Sequence, residues 1–160
     1  MRPLIILGTG LAGYTLAREY RKLNADRELV LISQDDGRSY SKPMLSNGLS
    51  KGKTADAIAM ASAADMATQL KATVHSYVAV TVIDRAAQTV TVQAADGSSE
   101  TLAYGDLVLA VGADVFRPPL GGNGGERVYT VNDLEDYARF RTAIGDNGKR
   151  VLIIGGGLIG

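Results

Sequence analysis

Pro3-Leu4-Ile5-Ile6-Leu7-Gly8-Thr9-Gly10-Leu11-Ala12-Gly13 is an apolar run that breaks into a glycine turn. A run rich in Ile and Leu is the pattern of a parallel strand buried on both faces. Beyond the turn, Leu11, Leu16, Tyr20 and Leu23 recur at helical spacing and predict an amphipathic helix. Strand, Gly-x-Gly-x-x-Gly and helix in that order form a dinucleotide-binding fingerprint. Gly8 permits the tight turn, Gly10 lets the backbone approach a pyrophosphate, and Gly13 lets the helix lie close to its strand. The helix N-terminus adds free N–H groups and about half a positive charge for the phosphates.

The same pattern returns at Arg150-Val151-Leu152-Ile153-Ile154, followed by Gly155, Gly157 and Gly160 at the same spacing. No other repeat is visible. Two fingerprints in one polypeptide suggest two dinucleotides, most economically a flavin and the nicotinamide that reduces it. The second is expected to open a further domain whose remainder lies outside this sequence.

Working outward from the first fingerprint, Glu28-Leu29-Val30-Leu31-Ile32 predicts the second strand of a β-α-β unit. An acid about twenty residues past the glycines is expected to hold the adenosine ribose. Asp35 is the first choice and Ser33, at the strand end, the next; a plain solvated turn at Asp35-Asp36-Gly37 is the alternative. Arg38 to Lys53 is a long polar connection, of a length usually tied to function. Within it Pro43 restricts Lys42, which could then face a flavin ring or a pyrophosphate, or simply be a surface lysine. Ala55 to Leu70 predicts one alanine-rich helix, with Met60 and Met66 as packing residues. Thr73-Val74-His75 predicts a third parallel strand.

The pattern then turns from helical to alternating. Val78, Val80 and Val82, then Thr89–Gln93, then Thr101–Tyr104, with Asp96-Gly97 at a turn, predict a three-stranded antiparallel meander. As a crossover within a parallel sheet it points to a flavoprotein. Asp106–Ala113 returns to a buried strand, and its small-residue turn Ala110-Val111-Gly112 belongs at the ligand-binding edge. Gly121–Gly125 reads as a connection, and Asn132 with Glu135 predicts the capping box of a last helix with Leu134, Tyr137, Phe140 and Ile144 on its apolar side. The expected fold is α/β: a Rossmann-like FAD-binding domain, a parallel sheet with the meander crossover, in residues 1–114. Residues 115–160 are expected to connect to, and begin, a second Rossmann-like domain for NAD.

Composition narrows the function. Lys plus Arg and Asp plus Glu both count 17, so there is no basic footprint for nucleic acid or an anionic membrane. No apolar run approaches a membrane span and no signal peptide precedes the first strand, which leads to the expectation of a cytoplasmic protein. With no cysteine and one histidine, His75, expected to be a plain strand residue, thiolate and His-rich metal sites are excluded for this sequence. Redox chemistry would come from an organic cofactor.

Gly8–Tyr14, the Ser39-Tyr40-Ser41-Lys42-Pro43-Met44-Leu45-Ser46 segment and Asn132–Arg141 closely resemble the bacterial rubredoxin–NAD reductases, FAD enzymes of the pyridine nucleotide-disulfide oxidoreductase superfamily. The resemblance runs through essentially the whole chain. It implies that Gly8, Gly10, Leu11 and Ala12 surround the FAD pyrophosphate, with Gly13 at the helix contact. It also implies Asp35 or Ser33 near the ribose, Lys42-Pro43 near the phosphates or flavin, and the Val80 backbone at the adenine. The family's Ala-Thr-Gly turn stands here as Ala110-Val111-Gly112, which leaves only backbone contacts; Ser33 replaces a frequent glutamate, and Asn47 a lysine of related ferredoxin reductases. The family's FAD domain resumes after the NAD domain with an acid for the ribityl chain, outside this sequence.

The expected function is therefore transfer of electrons from NADH through FAD to rubredoxin or a related iron–sulfur acceptor, as in alkane hydroxylation, with Lys42 tuning the flavin. The alternatives are a ferredoxin or flavorubredoxin reductase and, in another class, a non-catalytic dinucleotide-binding module. The 160 residues alone are expected to turn nothing over.

Overall fold

The computed structural model describes residues 1–145 and 149–155. β1 (Leu4–Leu7) leads into α1 (Leu11–Leu23) and returns as β2 (Leu29–Ile32). Three short helices follow, α2 (Met44–Gly48), α3 (Ala55–Ile58) and α4 (Ala63–Leu70), before β3 (Thr73–His75). The meander is β4 (Val78–Asp84), β5 (Thr89–Ala94) and β6 (Ser99–Ala103). β7 (Asp106–Leu109) and, after a connection holding one 3-10 turn (Gly125–Arg127), α5 (Leu134–Ile144) complete the regular elements among the described residues.

A parallel sheet of order β3-β2-β1-β7 carries the fold, and the meander forms a separate antiparallel sheet of order β4-β5-β6. The expected parallel sheet with a meander crossover is therefore present. Every residue of β1 and β2 is buried, which is why both read as unbroken apolar runs. Alternation splits them between two cores. Leu4, Ile6, Leu29 and Leu31 face Tyr14 and Ala17 of α1 and Met66 and Leu70 of α4. Ile5, Leu7, Val30 and Ile32 face Val90 and Val92 of β5 and Tyr104. At about 1.5–3 kcal/mol for each large apolar side chain buried, these two layers dominate the stability. A third cluster joins α2, α3 and α5 through Leu45, Ile58, Leu134 and Tyr137.

Several local expectations change in the folded chain. On α1 the buried positions are Gly13, Tyr14 and Ala17, whereas Leu11 and Leu23 are exposed. Close approach at Gly13 gives the sheet to Tyr14 and Ala17 and turns the leucine stripe outward. The helix expected over Ala55–Leu70 is split, because Ser39 and Ala61 form an antiparallel bridge that takes Met60 and Ala61 out of the helix. Ser62 then starts α4 afresh: its Oγ accepts from Asp65 N (3.1 Å) while Asp65 Oδ2 accepts from Ser62 N (3.0 Å). At α5 the cap sits one residue later than expected. Asp133 Oδ1 accepts from Asp136 N (2.7 Å), and Asp136 reaches back to Asn132 N (2.9 Å).

The strand expected at Arg150–Ile154 forms no ladder among the described residues, and Val151, Leu152, Ile153 and Ile154 are exposed. A parallel strand of that composition needs flanking strands and cover on both faces, which no described element supplies there. Gly155 has φ +105° with open space around it; Gly157 and Gly160 lie outside the described residues.

Candidate functional site

Parallel register gathers the candidate residues at one sheet edge. Leu7 pairs with Ile32 on one side and Leu109 on the other, so Gly8, Ser33 and Ala110 follow three adjacent strands in one row. This is the carboxyl edge, where open α/β sheets bind their ligands.

The glycines there do different work. Gly8 has φ +107°, donates its N–H to Ile32 O (2.8 Å), and would place a Cβ 2.2 Å from Ala110 O. At Gly13 a Cβ would lie 1.9 Å from Gly8 O, so only glycine lets α1 seat against the turn. Gly10 is otherwise: a Cβ there meets nothing within 4 Å. Packing does not require Gly10, and the space in front of it is open. No side chain caps α1 at Gly10 and no acid stands in its first turn, while Arg21 and Lys22 occupy its last. An uncapped helix start with exposed Leu11 and Ala12 behind it suits an anionic group.

Beside it, Thr9 and Ser33 are buried polar residues whose hydroxyls meet at 2.7 Å. Ser33 Oγ donates to Asp35 Oδ1, which also accepts from Gly37 N at 2.9 Å. The neighbouring acid is spent elsewhere: Asp36 pairs with Arg38 (2.5 Å), which also reaches Asp56 (2.7 Å). Asp35 is thus the acid that belongs to the hydroxyl group at the sheet edge. Tyr14 Oη donates to Gly37 O at 2.5 Å and braces the same loop from α1. Burial, then the Asp35 charge, pushes the Tyr14 phenol up to about 12.

The end of β2 is also tied to the corner before β4, since Tyr77 N donates to Asp35 O and Val78 N to Ser33 O, both at 2.9 Å. An open cleft of about 500 Å³ lies beside this corner, lined by Gln34, Tyr77, Ala79 and Gln93. Val80 is half-buried on β4, paired with Val92 beside an irregularity in the ladder. Ala110 N donates to Leu7 O (2.8 Å), Val111 is exposed, and Gly112 has φ +71°.

The structure thus brings together Gly8, Gly10, Gly13, Ser33, Asp35 and Ala110. Lys42 and Pro43 stand exposed at the entry to α2, and Lys42 makes no ion pair among the described residues. Thr9 was not singled out by sequence reasoning. Its signal is the register itself, which sets the residue after Gly8 beside the end of β2. The glycine cradle, the uncapped helix and the hydroxyl–carboxylate group together fit an adenine dinucleotide. No metal-binding cluster of His, Cys, Asp or Glu occurs among the described residues, and none of their helices is long and apolar enough to cross a membrane.

The chain is 48% identical over 160 residues to a rubredoxin-NAD(+) reductase of Alcanivorax borkumensis, matching all of this chain and 40% of that protein. It is 35% identical over 158 residues to a nitric oxide reductase FlRd-NAD(+) reductase of Aliivibrio fischeri, matching 99% of this chain and 40% of the relative. The chain therefore spans about 40% of the length of these curated relatives. Among solved structures, reduced CoADR-RHD of Bacillus anthracis shares the fold with a TM-score of 0.79 at 19% identity, over 89% of this chain and 26% of that one. The family model described as pyridine nucleotide-disulphide oxidoreductase matches residues 2–160, and the chain belongs to that family.

Proposed function

We propose that the protein of which these residues form part is a flavin reductase that passes electrons from NADH through FAD to rubredoxin. The observation that carries this reading is the uncapped start of α1 behind Gly8, Gly10 and Gly13, with an acid fixed at the end of the next strand. The likeness to a rubredoxin-NAD(+) reductase supports the acceptor. Bound FAD would supply the redox chemistry, taking two electrons together and releasing them singly.

The chain's residues bind and orient. N–H groups at Gly10, Leu11, Ala12 and Gly13 receive the pyrophosphate, and Asp35, supported by Ser33, receives the adenosine ribose. The Val80 backbone meets the adenine, and the backbone of Ala110, Val111 and Gly112 closes the near side. Lys42 and Pro43 stand at the flavin or phosphates, and the Lys42 charge favours the anionic reduced flavin. Residues 1–114 are the first segment of the FAD domain, and 115–160 connect to and begin the NAD domain, where Gly155, Gly157 and Gly160 receive the nicotinamide dinucleotide. A cytoplasmic location agrees with this role. The second reading, a reductase of flavorubredoxin, is favoured by the Aliivibrio fischeri relative.

Incubation with FAD followed by desalting and a visible spectrum tests the cradle directly. A retained, structured flavin band is the expected result; a colourless protein would count against FAD held by residues 1–114. Where flavin is retained, Lys42→Ala is expected to lower its midpoint potential, and an unchanged potential removes Lys42 from the site. The full-length reductase, given NADH with rubredoxin or flavorubredoxin in turn, separates the two acceptors by rate.

A further inference from the structure

Thr9, at 3% exposure, and Ser33, at 6%, are buried hydroxyls that the pyrophosphate cradle does not use. They end on Asp35, and the carboxylate sets the direction of every proton in the chain. A carboxylate only accepts, so Ser33 spends its single proton on Asp35 Oδ1 and must then accept from Thr9, 2.7 Å away. Gly37 N donates to the same Oδ1 at 2.9 Å, and Thr9 Oγ1 stands 3.5 Å from it. Oδ1 is therefore occupied from within the protein, and Ser33 has no proton left to offer a ligand. Asp35 Oδ2 accepts no hydrogen bond among the described residues. A half-buried carboxylate with one oxygen fixed and one unfilled is suited to a donor of two hydroxyl protons.

We propose that Thr9, Ser33 and Asp35 form a hydroxyl relay that presents Asp35 Oδ2 to the ribose diol of the bound adenine dinucleotide, with Thr9 as its positioning residue. This rests on the FAD reading above. It divides the roles left open between Ser33 and Asp35: Asp35 receives the diol, and Ser33 holds Asp35. Thr9 holds Ser33 in turn, because its proton fills the acceptor side of the Ser33 oxygen while the Ser33 proton goes to Asp35. A threonine inside the glycine turn thereby couples the phosphate cradle to the ribose contact through two side chains that touch no ligand.

The test is a set of dissociation constants from flavin fluorescence for this chain, using FAD and an FAD analogue whose adenosine ribose is 2′,3′-dideoxy. Wild type is expected to prefer FAD by tenfold or more, on the order of one charge-assisted hydrogen bond. Thr9→Val, of nearly the same shape, is expected to lose most of that preference while binding the analogue within about twofold of wild type. Thr9→Ser, which keeps the hydroxyl, is expected to restore it. A merely structural role for Thr9 would weaken both ligands alike and lower the melting temperature with them. If Thr9→Val keeps the wild-type preference, or weakens both ligands equally, the relay is wrong and the cofactor reading stands. Equal binding of the two ligands by wild type removes Asp35 from the ribose and the relay with it. No binding of FAD by wild type overturns the cofactor reading of this chain as well.

Discussion

Gly13 and Gly10 occupy the same fingerprint for opposite reasons. A Cβ at Gly13 would stand 1.9 Å from Gly8 O, a backbone atom that cannot swing aside. Gly13→Ala is expected to destabilise the chain by about 2–4 kcal/mol, in the range of an overpacked core, measured by urea unfolding. Gly10→Ala meets nothing within 4 Å and is expected to cost under about 1 kcal/mol, the difference between glycine and alanine at a helix cap. Its cost is expected in ligand affinity instead, because the methyl enters the space that the pyrophosphate would fill. Comparable losses of stability in both variants would show that Gly10 serves the fold. The spacing of the glycines, with Gly8 and Gly13 as the packing positions, was legible in the sequence; the atoms that enforce it, Ala110 O and Gly8 O, were not.

The helices were less legible than the strands. β1 and β2 declare themselves because both faces are covered, so every residue is apolar and no face has to be chosen. On α1 a choice exists, and the leucines suggested the wrong face; the close approach at Gly13 gives the sheet to Tyr14 and Ala17. The split between α3 and α4 depends on a bridge from Ser39 to Ala61, distant in sequence and invisible to any local pattern. The cap that restarts α4 is local, however, and its energy can be read. Ser62→Ala is expected to cost about 1 kcal/mol in urea unfolding, with Ser62→Asn recovering most of it. No change on Ser62→Ala would mean that packing of Met66 and Leu70 alone holds the helix.

Across the whole molecule, one buried and one half-buried phenol, Tyr14 and Tyr40, make alkaline stability a report on the packing around the site. Burial, then the charges of Asp35 and its neighbours, raises Tyr14 and Tyr40 from 10.0 to about 12 each. In the unfolded chain both would release a proton near pH 10, whereas the folded chain holds them. The stabilisation is fully present below pH 10 and is lost as pH rises towards 12. The melting temperature is expected to fall through that window, with Tyr14→Phe flattening part of the decline while lowering stability at neutral pH through the loss of the Gly37 contact. A melting temperature that falls equally in Tyr14→Phe would exclude Tyr14 as a source.

By itself the sequence determined β1 to β7, their parallel or meandering character and the position of the first glycine turn, because apolar periodicity and glycine's conformational range are local properties. The resemblance carried by the Gly8–Tyr14 and Ser39–Ser46 segments added the family. Only the tertiary structure decided which acid meets the hydroxyls at the sheet edge and what holds it. Thr9 lies 24 residues from Ser33, and the two meet because β1 and β2 run parallel with Leu7 opposite Ile32. Asp36 is withdrawn by Arg38, itself held by Asp56, while Asp35 turns to the hydroxyls. A hydrogen bond is an arrangement of three atoms in space, and strand register, not residue spacing, brings these atoms together.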